Sequence, residues 1–459
     1  MISNFLSMKK ITLYIVFALI FFSCKENYFD GNFQKLHDLV LNGNELIKTE
    51  KYYGDDFGRF HINELFVATN GKIYYRAAKY IDRESNTLIN SVGELDVNGN
   101  MLWNSEQVDF RTYGFVEDDK GNVYVFGTNK EYENGLIGRI ENQSINVIYK
   151  DVLGDRGIVT QFTTLKYLGN NTFFYVGIYP DKDNNSISKI GEISINQDNV
   201  SFLSFLDTNY FLPTIYTIEK TKIDTYYITD PYTINNQWKI EKSEIVKDEL
   251  AYAGGIGYDE SWNSDPIITD NKANPNLGSS PALGRNQNLY VKNGNDLVAV
   301  GYGDNADGTS YTDNNYKIPR GVVACLDYQT GEIKWKRVIP ESNPDIAGTA
   351  AYQILLHNDK YYVIGEYDFH SFVGTGGYNR MYGYGFVQTI SLSGELLDCY
   401  LFGKDFEESC FYSVAIVGNK LIMAGYGGQK FYSENKYNNM FVSYDGYKAW
   451  FVSCNIDDF

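Results

Sequence analysis

Seven times along the chain a short apolar run, bounded by Asn, Asp or Gly, interrupts polar sequence. The runs are GKIYYRA (71–77), GNVYVFG (121–127), TFFYVG (172–177), TYYIT (225–229), DLVAVG (296–301), KYYVIG (360–365) and KLIMAG (420–425). Their last residues lie 50, 50, 52, 72, 64 and 60 positions apart, and most of them are Gly. Enrichment in β-branched and aromatic residues over so short a stretch predicts strands. Another apolar run and a tight polar turn precede each copy, as in YQILLHNDKYYVIG (352–365). A variable loop follows, then a hairpin: GELDVNGNMLW (93–103), ACLDYQTGEIKW (324–335), TISLSGELLDCY (389–400). The Asn-Gly and x-Gly-Glu turns supply the positive φ that such hairpins need. Each unit therefore reads as four strands, a to d, and no amphipathic helical segment of useful length follows residue 23. The fold class this predicts is all-β: a seven-bladed β-propeller of four-stranded antiparallel blades, in which radial packing buries both faces of each sheet.

The ends of the chain bear on closure. YKAWFVSCNIDDF (447–459) aligns with a c strand and stops, while NELIKTEKYYGDDFGRF (44–60) matches the register of GELLDCYLFGKDFEESCF (394–411), a d strand leading into the next unit. An N-terminal d strand added to the last blade then latches the ring and covers an edge that would otherwise stay unpaired. The alternative is that MFVSYDGYKAWFVSC (440–454) forms its own c-d hairpin, leaving 36–53 as a partial eighth blade or a packed arm.

Ahead of the repeats, Lys9 and Lys10 precede ITLYIVFALIFF (11–22), then Ser23 and Cys24. That run is too short for a stable span and suits a secretory signal. FFSC resembles a lipobox, although Phe21 and Phe22 are bulkier than its tightest form, and Met8 is an alternative start. The expected organisation is a lipoprotein signal (1–23), a tether from a lipidated Cys24 (24–35) and a propeller (36–459). Acyl chains on Cys24 anchor such a protein to a membrane without a transmembrane helix. Lys25 stands where an Asp implies inner-membrane retention, so the resemblance implies an outer-membrane lipoprotein.

Loss of residues 1–23 removes two lysines and no acid, taking the formal charge from −18 to −20. Such a surface repels nucleic acid and anionic headgroups. Cys325, Cys399, Cys410 and Cys454 are too few and too widely spaced for a disulfide framework or a zinc site, and read as buried thiols with at most one bridge.

ACLDYQTGEIKW resembles the repeat of quinoprotein-type (PQQ-like) β-propellers through Ala324, Asp327, Thr330, Gly331 and Trp335. Leu95, Asp96, Gly99 and Trp103 match it in a second unit. The resemblance implies that Trp103 and Trp335 dock neighbouring blades together. It does not carry the PQQ cofactor with it, and no cofactor is expected.

Long b-c loops at 178–188, 303–319, 366–383 and 427–446 emerge on the same face as the d-a connections, and loops on a rigid scaffold are where binding residues gather. They carry Tyr302, Tyr311, Tyr316, Tyr367, His370, Tyr378, Arg380, Tyr382 and Tyr432, to which the d-a connection 253–286 adds Trp262. Such side chains suit a protein or glycan ligand, or pack on one another. In DKDNNSISKIGE (181–192) acids stand at calcium-loop spacing, but Ser186 replaces the turn glycine and Glu192 falls on a strand, so no metal is expected. Nucleophile elbows, phosphate loops and paired metal-ligand histidines are absent. The expected function is a binding or scaffold module, the alternative a carbohydrate hydrolase or lyase with acids in the channel.

Overall fold

Each of the seven recurring apolar runs is the second strand of a four-stranded antiparallel sheet. The computed structural model describes residues 42–54, 59–80, 88–107, 109–151, 160–180, 186–207, 217–222, 225–234, 237–247, 256–263, 289–304, 312–313, 316–317, 319–339, 348–369, 371–374, 377–380, 383–404, 407–430 and 448–459.

A lone strand comes first, β1 (Lys48–Tyr53). The first sheet is β2 (Arg59–Val67), β3 (Ile73–Tyr80), β4 (Leu88–Leu95) and β5 (Met101–Gln107). The second is β6 (Phe110–Glu117), β7 (Val123–Asn129), β8 (Gly135–Glu141) and β9 (Ser144–Lys150). The third is β10 (Gln161–Gly169), β11 (Thr172–Pro180), β12 (Ser186–Asn196) and β13 (Asn199–Asp207). The fourth is β14 (Thr217–Lys222), β15 (Thr225–Ile234), β16 (Gln237–Lys247) and β17 (Ile256–Asn263). The fifth begins with β18 (Tyr290–Asn293) and β19 (Asp296–Asp304). A small ribbon of β20 (Thr312–Asp313) and β21 (Tyr316–Lys317) follows, then β22 (Pro319–Asp327) and β23 (Ile333–Ile339) complete the sheet. The sixth repeats that plan with β24 (Gly348–His357), β25 (Lys360–Phe369), a ribbon of β26 (Ser371–Gly374) and β27 (Gly377–Arg380), β28 (Tyr384–Ser391) and β29 (Leu396–Phe402). The seventh is β30 (Glu407–Val417), β31 (Lys420–Lys430) and β32 (Lys448–Asn455), with β1 on the free edge of β32. Lys48 stands opposite Cys454, and the register holds to Tyr53 opposite Ala449.

The stretches 303–319 and 366–383, read from sequence as loops, are partly strand. Here β19 and β25 run on to Asp304 and Phe369, and each connection folds a ribbon of its own. Pairing within the connection satisfies backbone hydrogen-bonding groups of each ribbon.

The hydrophobic core lies between sheets. Phe110, Phe115 and Val125 of the second sheet pack with Val92 and Trp103 of the first. Tyr362, Ile364 and Phe402 of the sixth pack with Phe411, Met423 and Trp450 of the seventh, and Ile62, Leu65 and Tyr75 of the first with Ile422, Ala424 and Phe451 of the seventh. Lys220 of β14 meets Glu192 of β12 at 2.6 Å, and Lys292 of β18 pairs with Glu219 of β14, joining the fourth sheet to its neighbours. Successive four-stranded meanders packed face to face make this a β-propeller.

A recurrent irregularity explains the recurrent glycine. In the first, second, third, sixth and seventh sheets the innermost strand carries a β-bulge, at Asn63, Tyr113, Thr163, Tyr352 and Tyr412. In the last four of these a glycine (Gly127, Gly177, Gly365, Gly425) stands opposite the residue just before the bulge. A Cβ on Gly127, Gly365 or Gly425 would overlap the carbonyl oxygen of Arg111, Ala350 or Cys410. At these three positions the bulge presses the first strand's backbone against its neighbour so closely that glycine is needed, whereas the first sheet accommodates Ala77 at the equivalent place. The residue after the bulge stitches sheets together: Ser413 Oγ accepts from Leu65 N at 2.9 Å, and Gln353 Oε1 from Val414 N at 3.0 Å.

Trp335 donates to the Leu392 carbonyl at 3.3 Å and lies against Gly394, so it docks the fifth sheet on the sixth. The four cysteines of the repeat region are free thiols.

Candidate functional site

Two positions of the repeat lie at the end of the sheets where the d-a and b-c connections emerge. One is the bulge of the innermost strand. Bulges turn a side chain out of the sheet's regular alternation. The other is the residue immediately after the signature glycine on the second strand, where the fifth, sixth and seventh sheets place Tyr302, Glu366 and Tyr426.

Together these positions build an aromatic arc across three sheets, which His61 extends to a fourth. Tyr302 of the fifth sheet meets Tyr352 of the sixth edge-on at 5.8 Å between ring centroids. Tyr352 meets Tyr412 of the seventh at 5.2 Å, edge-on again. Tyr412 touches Tyr426 at 5.4 Å and, on its other side, His61 of the first sheet at 5.8 Å. Edge-to-face contacts of this kind fix ring planes and add to the stabilisation from burial. Tyr352 and Tyr426 are almost wholly buried, whereas Tyr302, Tyr412 and His61 keep part of their surface in solvent. Two acids brace the arc from behind. Tyr352 Oη donates to Glu366 Oε2 at 3.4 Å, and Tyr426 Oη donates to Glu408 Oε1. Both carboxylates are buried.

The arc continues less densely on the opposite side. Tyr113 donates to Gln161 Oε1 at 3.1 Å, bridging the second and third sheets. Next to the bulged Asn63, Glu64 is fully buried and accepts from Arg76 Nε at 3.1 Å, while Arg76 Nη1 reaches the Thr112 carbonyl of the second sheet at 3.1 Å. Burial pushes the Glu64 carboxyl up to about 7, with Arg76 only partly opposing it.

Of the side chains singled out in the sequence, the structure brings Tyr302 into this arc. Tyr367 is buried against Phe386 at 6.1 Å, packed into its own sheet. Tyr316 lies on β21, Tyr378 and Arg380 on β27, and Trp262 on β17. Tyr311, His370, Tyr382, Tyr432 and Cys24 fall outside the described residues. Tyr352, Tyr412 and His61 were not singled out as ligand residues. A signal for the first two exists: the bulged positions stand thirteen or fourteen residues before the last residue of each apolar run.

Among the described residues no group of three or more His, Cys, Asp or Glu is placed to hold a metal ion. Glu192 lies on β12, as expected, and pairs with Lys220.

No protein-family model matches the chain, and no curated protein matches it. Among solved structures it is similar to the polysaccharide lyase Uly1, at 10% identity over 86% of this chain and 90% of that one, with a TM-score of 0.44. The Dos1 propeller is 9% identical over 85% of this chain and 77% of that one, with a TM-score of 0.40. A catalytically inactive virginiamycin B lyase from Staphylococcus aureus, solved with quinupristin, is 10% identical over 88% and 99%, with a TM-score of 0.38. Likeness at this level carries no weight for fold or activity, which rest on the geometry above.

Proposed function

We propose that the chain is an exported outer-membrane lipoprotein, anchored through Cys24, whose propeller binds a neutral glycan at the long-loop end of its channel. In this reading the molecule is a ring of seven blades closed through β1, and its repeat belongs to the quinoprotein type without the PQQ cofactor. The single observation that carries the binding reading is the Tyr302–Tyr352–Tyr412–His61 arc, continuous over four sheets and backed by two carboxylates. Tyrosine offers an apolar face for the C–H surface of a sugar and a hydroxyl for its rim. A formal charge of −18 disfavours anionic polymers. Tyr311, Tyr316, His370, Tyr378, Arg380, Tyr382, Tyr432 and Trp262 are proposed as further ligand contacts from the sequence alone, whereas Tyr367 is packed into its own sheet.

Detergent-purified full-length protein applied to a glycan array tests it. Retention of neutral oligosaccharides, weakened in Tyr412→Ala, is the expected result. Blank arrays beside reproducible capture of a defined envelope protein would replace the glycan with a protein ligand. One observation favours a second reading, a carbohydrate-cleaving enzyme: two buried carboxylates, Glu366 and Glu408, hydrogen-bond the tyrosines of the arc. Product release from a bound oligosaccharide, abolished in Glu408→Gln, would establish that reading, and binding without turnover would dismiss it.

A further inference from the structure

The opposite end of the channel, where the a-b turns lie, holds a cavity of about 480 Å³. It is walled by the last residues of β2, β6 and β10 and by Tyr290 at the start of β18. That volume falls in the range of roughly 300–1,000 Å³ usual for small-molecule sites.

The repeat shows what is unusual about its wall. Counting from the bulge, the third and fourth following residues of the innermost strands are Phe66 and Val67, Leu355 and Leu356, and Ala415 and Ile416 in the first, sixth and seventh sheets. All six are apolar. In the second sheet the fourth such position is Glu117, and in the third sheet the third is Lys166. Two opposite charges thus replace hydrophobic residues on adjacent sheets, and both line this cavity.

Each charge is held by its own neighbour. Glu117 accepts from Thr69 N at 2.8 Å and from Thr69 Oγ1 at 2.7 Å, which leaves further lone pairs on both oxygens. Lys166 Nζ bonds Tyr290 Oη at 2.8 Å and lies 5.1 Å from the centre of that ring. The wall beside them is largely apolar, with Phe66 and Phe115 stacked at 5.5 Å. Thr164, also on the wall, has a buried hydroxyl with no hydrogen-bond partner among the described residues.

We infer that this cavity is a binding site for a small zwitterion with an apolar body, such as an apolar α-amino acid. Its ammonium faces Glu117, its carboxylate faces Lys166 and its side chain lies on Phe66 and Phe115. The site is separate from the aromatic arc and stands or falls without it.

Calorimetry on the full-length protein tests the inference with L-phenylalanine, 3-phenylpropionate (carboxylate only) and phenethylamine (ammonium only). L-Phenylalanine is expected to bind at least tenfold more tightly than either analogue. Lys166→Met should reduce it to the affinity of phenethylamine, and Glu117→Gln to that of 3-phenylpropionate. Thermal unfolding of both variants checks that they fold, and either alone suffices if the other does not. Absence of L-phenylalanine binding, or equal affinity for all three compounds, would overturn the proposal.

Discussion

At the scale of single residues, the repeated glycine is a steric requirement set by a bulge on the neighbouring strand. Gly365→Ala would press a methyl group onto the Ala350 carbonyl, with Phe386 on its other side. Relief by backbone shift should cost about 1–3 kcal/mol, read as a lowered midpoint in urea unfolding. The glycine was legible in the sequence, but its cause was not. A bulge is a relation between two strands, and no run of letters records which residue of one strand has lost its partner in the other. Glu64 leads to a different expectation. An acid whose folded pKa is raised keeps its proton in the native chain at pH values where the unfolded chain has lost it. The native state should therefore lose stability as pH rises from about 4.5 to about 7, the span between the ordinary and shifted values. Urea midpoints measured across that range should fall in the natural protein and stay level in Glu64→Gln. A flat profile in the natural protein would show that Arg76 holds Glu64 ionised throughout.

At the scale of elements, β1 decides how the last sheet is finished. Trp450 is fully buried in β32 and donates to Glu50 Oε1 of β1 at 2.7 Å. Tyr52 stacks on the same indole at 6.1 Å and also bonds Glu50. Replacing Trp450 by Ala should cost about 3–5 kcal/mol, while Glu50→Ala, which leaves two donors unpaired at a partly exposed site, should cost about 1 kcal/mol. Hydrogen exchange adds a sharper readout, since in Glu50→Ala protection should fall in β1 and β32 before it falls elsewhere. The outermost strands show why this edge is distinctive. The other six sheets each carry a bulge in the pairing of the outermost strand, opening at Leu102, Ile148, Leu203, Ser261, Lys334 and Leu397, whereas β1 and β32 pair without interruption. Bulges twist an exposed edge away from further pairing. The strand assignment of the repeats was readable because alternation and turn chemistry are local. The ribbons within 303–319 and 366–383 escaped notice because Gly- and Asn-rich stretches read as loops whether or not they pair.

At the scale of the whole molecule, the candidate site depends on packing between sheets that sequence conveys only indirectly. His61 and Tyr412 are 351 positions apart and touch because the first sheet packs against the seventh. The sequence directed attention to the long-loop face and identified Tyr302 on it, yet Tyr352 and Tyr412 lie on strands, where a tyrosine looks like ordinary core. The opposite cavity was still less legible, because its two charges stand out only once the bulges set the register. Attachment to the membrane has its own test. Cys24→Ser should move the protein from the membrane fraction to the soluble fraction and remove the acyl mass from its N-terminal peptide. An unchanged distribution would contradict the anchor. The glycan-binding claim is tested most directly by titrating the best neutral oligosaccharide into the full-length protein, Tyr412→Ala and Lys166→Met. Loss of about tenfold in affinity, or about 1.4 kcal/mol, in Tyr412→Ala alone is the expected result, and equal affinity in all three proteins would contradict it.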